Sequence, residues 1–132
     1  MPPIDQKRYE EGLRIKREIG NTEVTVSAHL DKDFSDYTTA ELYGTVFNRP
    51  GLSLRDRELI AMTALVAQGA TFENMANHFL TAPNVGISDL EIREMILQTQ
   101  YYAGWSKGAN ATKYLNRVRR GERPGAKTVK DD

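Results

Sequence analysis

The residues best suited to acid–base chemistry are a histidine and a glutamate that lie twenty positions apart. His78 lies in the segment GATFENMANHFLTAP, and Glu58 lies in the preceding segment RDREL. Apolar residues recur at helical spacing in both segments, and Gly69 separates the two predicted helices. Glu58 precedes Gly69 by eleven residues and His78 follows it by nine, so in an antiparallel pair their heights differ by about 3 Å. We therefore expect a half-buried Glu58 to hydrogen-bond His78 in a pair that can transfer protons.

Both residues also have a structural interpretation. A single histidine on a helix flank is more often a surface residue or a satisfied core residue than a catalytic one. Glu58 can equally belong to a charged first helical turn, which the helix dipole favours. The second histidine, His29, has no companion motif, and we interpret it as structural. The pattern alone leaves these alternatives open.

The elements that must position this pair are predicted to be about six to seven helices. Ser53, Thr71 and Ser88 stand where N-cap residues are favoured, and glycines or a proline end the helices that follow. The TEVTV stretch alternates as a strand does, but a lone strand has no partner, so we favour a helix there as well. The predicted helices are a charged one in IDQKRYEEGLRIKREIG, then Thr22–Leu30, Thr39–Phe47 with Thr38 as its cap, Ser53–Gly69, Thr71–Ala82, Ser88–Ala103 and Ser106–Arg120.

These helices predict an all-α fold, a single-domain helical bundle with a central antiparallel hairpin. We expect the domain to span residues 1–120 and residues 121–132 to form a flexible polar tail. The chain has no cysteine, which excludes disulfides, thiolate ligands and thiol redox chemistry. Two histidines without an HxxxH pair argue against a metal site.

The charge and hydropathy of the sequence argue against two classes of partner, nucleic acids and membranes. Lys plus Arg and Asp plus Glu number 18 each, and no basic block dominates, so we expect no nucleic-acid partner. No apolar run reaches 18 residues and the N-terminus lacks an apolar signal region, so we expect a cytoplasmic protein with no membrane partner.

Three motifs together resemble the carboxymuconolactone decarboxylase family. They are RPGLSLRDREL, the histidine of MANHFLTA, and GISDLEIRE followed by Q-x-x-Y-Y-A-G, within a similarity that runs from about Tyr9 to Val118. The resemblance implies the helical bundle of the carboxymuconolactone decarboxylase/alkylhydroperoxidase-like type. Its alkylhydroperoxidase-like branch carries a CxxC pair where this chain has Ala-Thr-Phe-Glu at positions 70–73, so the decarboxylase branch is favoured and thiol peroxidase activity is excluded. Glu58 matches the proton-relay glutamate of the peroxidase-like branch.

The sequence departs from the decarboxylase pattern at two places, which implies a related pocket for a different substrate. The decarboxylases commonly resemble W-G-E-V-W before the RPGL motif, where this chain has YGTVF, and Gly-Val-Pro where it has Gly-Trp-Ser. Arg49 is a candidate clamp for a substrate carboxylate, with capping of the preceding helix as its alternative role. Tyr43 and Thr45 are candidate hydroxyl donors, and Phe47 and Trp105 are candidates for an apolar wall.

The resemblance implies a cofactor-free lyase that decarboxylates an unsaturated lactone or keto acid, with His78 as general acid held by Glu58. The substrate would be its own electron sink, so no cofactor or metal is required. Two alternatives stay open: a non-catalytic oligomeric protein that binds small molecules, and a cyclase or isomerase of a polyketide-like pathway. Excess apolar surface on the last two predicted helices predicts an oligomer, and the resemblance implies a homotrimer or homohexamer whose pocket a neighbouring chain completes.

Overall fold

Every regular element in the computed structural model, which describes residues 4–20 and 31–124, is a helix. The all-α prediction is therefore confirmed, and the helices Leu54–Gln68 and Phe72–Thr81 form the expected central hairpin. The predicted helix Thr22–Leu30 and most of the predicted tail lie outside the described residues. The helices are α1 (Gln6–Ile19), α2 (Lys32–Tyr37), which continues into a π-helix (Thr38–Val46), α3 (Leu54–Gln68), α4 (Phe72–Thr81), which continues into a 3₁₀ turn (Ala82–Val85), α5 (Asp89–Ala103) and α6 (Trp105–Arg119).

Side-chain caps fix the starts of the hairpin helices and of α5. Ser53 accepts a hydrogen bond from the backbone of Asp56, Thr71 from that of Asn74, and Ser88 from that of Glu91 within a complete capping box. These three starts agree with the sequence prediction.

The predicted start of the last helix at Ser106 is wrong by one residue. The helix begins at Trp105, directly after Gly104, and has no side-chain cap. Gly104 has φ 113° and ψ 150°, a conformation that glycine adopts at little cost. A single glycine therefore joins α5 to α6 and leaves no position for a capping side chain.

The prediction that Thr38 caps a helix over Thr39–Phe47 is also wrong. The helix starts earlier, where the Asp31 side chain accepts from the backbone of Phe34, and it passes through Thr38 without a break. Threonine hydroxyls bond to backbone carbonyls one turn earlier, including that of Thr39 to Ser35 at 2.9 Å. Such bonds compete with the i to i+4 backbone hydrogen bonds of a regular α-helix, and this segment forms i to i+5 bonds instead.

Two glycines allow α1 to lie directly against the π-helix. A Cβ atom on Gly12 would lie 1.9 Å from the carbonyl oxygen of Thr39, and one on Gly44 would lie 2.0 Å from that of Arg8. The two backbones therefore touch at both positions. This contact brings Ile15 and Ile19 of α1 together with Tyr43 and Phe47, which we call the aromatic cluster.

The larger hydrophobic core, which we call the main core, joins α3, α4, α5 and α6. Tyr102, which helical spacing predicts on the inward stripe of the helix Ser88–Ala103, lies outside this core and is 86% exposed. The buried residues of the main core are Met62, Val66, Met75, Ala76, Phe79, Ala82, Ile87, Ile92, Ile96, Ala111, Leu115 and Val118.

Within the described residues, no helix combines the length and apolarity needed to cross a bilayer.

Candidate functional site

The hairpin brings Glu58 and His78 together as the residue spacing predicted. The Nδ1 atom of His78 lies 3.0 Å from Oε2 of Glu58, so the expected hydrogen bond is confirmed. With the carboxylate ionised, Nδ1–H donates to it, and Nε2 is then the ring nitrogen that faces other partners. Among residues 4–20 and 31–124, Nε2 has no hydrogen-bond partner. The His78 side chain is 20% exposed, so the ring is only partly enclosed by the chain.

Glu58 is more deeply buried than its position in the sequence predicted. It is 1% exposed, and its Oε1 has no hydrogen-bond partner within the part of the chain that the structure describes. Its neighbours one turn away explain the burial, because Leu54 and Ala61 pack against the aromatic cluster while Met62 lies in the main core. An unsatisfied buried acceptor costs about 1–3 kcal/mol, and more when it is charged. The fold therefore holds this carboxylate, at a cost in stability, on the border between the two apolar regions.

Two of the three aromatic candidates of the site, Tyr43 and Phe47, lie on the same side of α3 as Glu58. Their ring centroids are 5.0 Å apart, each residue is 7% exposed, and both pack with Leu54 and Ala61. The π-helix carries Tyr43, and helical segments of this kind occur frequently at functional sites. The aromatic cluster therefore lies on the side of α3 that carries Glu58.

Thr45 uses its hydroxyl within the π-helix. The hydroxyl donates to the carbonyl oxygen of Ala40 at 3.0 Å, five residues earlier. It therefore serves the local backbone, and only its lone pairs are available to another group.

Two further sequence candidates have exposed side chains. Arg49 is one of them, and among the described residues no hydrogen bond joins its side chain to Glu58 or His78. Trp105 is 75% exposed and lies near the hairpin turn, because Lys107, two residues later, donates to the carbonyl of Gln68. His78 lies nine residues beyond that turn, about 13 Å along α4 at 1.5 Å per residue.

Arg57 is a polar residue of this region that the sequence analysis did not select. Its Nη2 donates to the carbonyl oxygen of Arg49 at 3.2 Å, and its buried Nε has no hydrogen-bond partner in residues 4–20 and 31–124. The RDRE sequence offered only the general signal of a charged first turn. The contact with Arg49 depends on the chain path before α3, which local pattern does not determine.

Comparisons with known proteins agree with the motifs and the helical fold. Residues 32–117 match the sequence model of the carboxymuconolactone decarboxylase family. The chain is 31% identical over 105 residues to a 4-carboxymuconolactone decarboxylase of Acinetobacter baylyi, which covers 76% of this chain and 78% of that one. It is 27% identical over 106 residues to a nitrosuccinic acid decarboxylase of Metarhizium robertsii, which covers 76% of this chain and 73% of that one.

Proposed function

Because the chain belongs to the carboxymuconolactone decarboxylase family, we propose that it is a lyase that removes CO2 from a small carboxylic acid without a cofactor. The observation that carries this proposal is the pair of buried Glu58 and partly buried His78, with its 3.0 Å hydrogen bond and an Nε2 that has no partner among the described residues. Such a pair is the proton-transfer device that a decarboxylation without metal or cofactor requires.

In the reaction, the bond between the substrate carbon and its carboxylate breaks, and the electron pair stays on the substrate. In an unsaturated lactone or a keto acid this charge spreads into a carbonyl group, so the substrate is its own electron sink. His78 then gives the proton on Nε2 to the carbanion, which completes the product, and takes a new proton from solvent. Glu58 holds the ring in position and balances its charge while Nε2 carries the proton, and positioning of this kind supplies much of an enzyme's rate.

The names of the two relatives support this class of substrate. One is named for 4-carboxymuconolactone and the other for nitrosuccinic acid. Both compounds carry a group that withdraws electrons, a lactone carbonyl in one and a nitro group in the other. We infer that the substrate here is also a small acid with such a group, and that Tyr43 and Phe47 form one wall of its site.

We propose further that the working form is a homotrimer or homohexamer. Large apolar side chains are exposed on α5 and at the start of α6, and monomers rarely expose apolar patches of this kind. A cleft of about 470 Å³ between α3 and α5, lined by Leu59, Met95 and Tyr101 among others, lies beside this surface. In such an assembly Trp105 would contribute to a neighbour's site. The exposed side chains are Leu90 (68%), Leu97 (51%), Tyr101 (80%), Tyr102 (86%) and Trp105 (75%).

A direct assay tests the proposed reaction. The purified protein, in the presence of EDTA, is mixed with 4-carboxymuconolactone and, separately, with nitrosuccinic acid. We expect CO2 release from at least one of them, with a product lighter by one CO2 in mass spectrometry. Conversion to a product of unchanged mass would favour an isomerase or cyclase. Binding by calorimetry without any conversion would favour a non-catalytic binding protein.

Light scattering tests the assembly. We expect a mass of three or six chains at micromolar concentration. A single species with the 14.9 kDa mass of one chain would contradict the oligomer and the role of Trp105 in a neighbour's site.

A further inference from the structure

Arg57 has a guanidinium group that the fold satisfies only in part. Its Nη2 holds the carbonyl of Arg49, but its buried Nε–H has no acceptor. Within the described parts of the chain, residues 4–20 and 31–124, no carboxylate lies at ion-pair distance from this cation. Buried polar groups in native proteins are nearly always hydrogen-bonded, so an exception needs a reason. An anionic ligand would supply both the missing acceptor and the missing charge.

The position of Arg57 on α3 places this cation beside the acid–base pair. Arg57 and Glu58 are consecutive, so their side chains leave the helix about 100° apart. Leu54 and Ala61 leave it between these two directions, and both pack against the aromatic cluster. The cation and the buried carboxylate therefore flank one stripe of α3, and that stripe faces the proposed aromatic wall.

We propose that Arg57 binds a carboxylate of the substrate through Nε–H and the second hydrogen of Nη2, and that the groups which cover Nε shift to admit the carboxylate. Those two donors lie on one edge of the guanidinium plane and match the two oxygens of a carboxylate. The bond from Nη2 to Arg49 already fixes the plane, so little side-chain freedom is lost on binding. This assignment rests on the proposed function, because it takes a carboxylic acid as the substrate.

The carboxylate that Arg57 holds is the one that the product retains. A leaving carboxylate loses its negative charge as CO2 forms, so an ion pair with it would stabilise the substrate more than the transition state and would slow the reaction. A retained carboxylate keeps its charge throughout and can be held without this penalty. Arg57 thus selects acids with at least two carboxylates, one anchored on Arg57 and the other lost near His78.

Arg49, the arginine that the sequence favoured for this role, offers a weaker anchor. Its side chain is exposed, so bulk water competes for its hydrogen bonds and screens its charge. The Arg57 guanidinium is partly enclosed and held by a backbone carbonyl, so the same ion pair is stronger there.

Thermal unfolding with a simple dicarboxylate tests the assignment. Succinate at millimolar concentration should raise the unfolding temperature of the wild-type protein, and dimethyl succinate, which lacks the charges, should not. Arg57→Gln should abolish the shift and Arg57→Lys should reduce it. Arg55→Gln is the matched control, because Arg55 lies on the same helix but pairs with Glu91, and it should keep the full shift. A full shift in Arg57→Gln, or its loss only in Arg49→Gln, would overturn the proposal.

A second measurement uses the wild-type protein and does not depend on how well a variant folds. Phenylglyoxal modifies arginine side chains, and peptide mass spectrometry locates the products. Succinate should protect Arg57 from modification and leave Arg55 unprotected. Equal modification of Arg57 with and without succinate would contradict the assignment.

Kinetics separate this inference from the proposed function. If the protein is a decarboxylase, Arg57→Gln should raise KM about tenfold or more, as expected for a lost charged hydrogen bond, and change kcat much less. Turnover with an unchanged KM in this variant would refute the role of Arg57 and leave the lyase intact. Succinate protection of Arg57 in a protein that decarboxylates neither acid would support the anchor and refute the lyase.

Discussion

The two sides of α3 are packed in different ways. On one side, the main core joins α3 to α4, α5 and α6 through apolar contacts between regular helices. On the other side, the aromatic cluster joins α3 to α1 and the π-helix, where backbones touch at glycines and the helical turn is widened. Two buried atoms that have no hydrogen-bond partner among the described residues, Nε of Arg57 and Oε1 of Glu58, lie along the border with this second side.

This difference separates the source of stability from the location of the chemistry. Apolar burial contributes about 25 cal/mol per Å², so the main core provides most of the favourable free energy of folding. The border instead holds polar groups that lack partners, and these lower stability until a ligand satisfies them. A ligand that forms hydrogen bonds with these groups gains binding free energy, because the groups have no protein partner to give up. Functional groups are commonly found where local rules of folding are broken in this way.

The largest expected effect on stability comes from the main core. Leu115→Ala removes a fully buried side chain from α6 and should lower the free energy of unfolding by about 2–5 kcal/mol. Turnover per folded molecule should change little, because Leu115 lies away from the border. Urea unfolding and a kinetic assay of the folded protein check both points. A stable variant with lost activity would mean that the two regions are not separate.

A smaller effect is expected where α1 touches the π-helix. Gly44→Ala would place a Cβ 2.0 Å from the carbonyl oxygen of Arg8, so the two helices must move apart, at a cost of about 1–3 kcal/mol. Because the π-helix carries Tyr43, we expect turnover to fall as well. Gly51→Ala is the control, since no atom lies within 4 Å of the added Cβ, and it should be nearly neutral. Urea unfolding of both variants measures the difference, and equal stability would argue against the close contact.

The smallest effect is expected at the surface of the main core. Asp89 accepts hydrogen bonds from Arg119 at 2.7 Å and Arg93 at 2.8 Å, and these bonds, that of Arg119 first, hold the pKa of its carboxyl below the ordinary value of 3.8. Asp89→Asn should cost about 0.5–1 kcal/mol at pH 7, because the side chain is 44% exposed and solvent screens its charge.

The pH dependence of this effect has a definite sign. A lowered pKa in the folded state gives stability that is fully present above the unfolded value and is lost as pH falls through the folded value. The difference between wild type and Asp89→Asn should therefore shrink as pH falls below about 3.8. Urea unfolding at pH 7 and at pH 3 measures it, and a difference that grows in acid would contradict the assignment.

The sequence predicts the parts of this molecule that depend on local periodicity. Ser53 and Thr71 mark helix starts because a side-chain oxygen satisfies backbone donors within the same turn. The contact between Glu58 and His78 follows from the same information, since the rise per residue and one glycine turn fix their relative height.

The remaining features depend on contacts between distant residues, which no local pattern encodes. The contact between α1 and the π-helix joins Gly12 to Thr39 across a long stretch of chain. Arg57 gives no signal in the sequence because its partner is a backbone carbonyl. The sequence makes Trp105 a candidate because it stands at a helix start where the family pattern differs, whereas its position near the hairpin turn is set by the packing of α6. The substrate-binding roles of these residues stay predictions.

A double-mutant cycle on the acid–base pair tests the central claim most directly. His78→Ala should lower kcat about a hundredfold or more, as expected for a lost general acid, and Glu58→Gln should lower it by a smaller factor. The double variant should be no slower than His78→Ala alone, because Glu58 acts only through the histidine. Circular dichroism confirms that each variant is folded, and Asn74→Ala on the exposed face of α4 serves as control. Near-normal turnover by a folded His78→Ala, or losses that simply multiply in the double variant, would contradict the account.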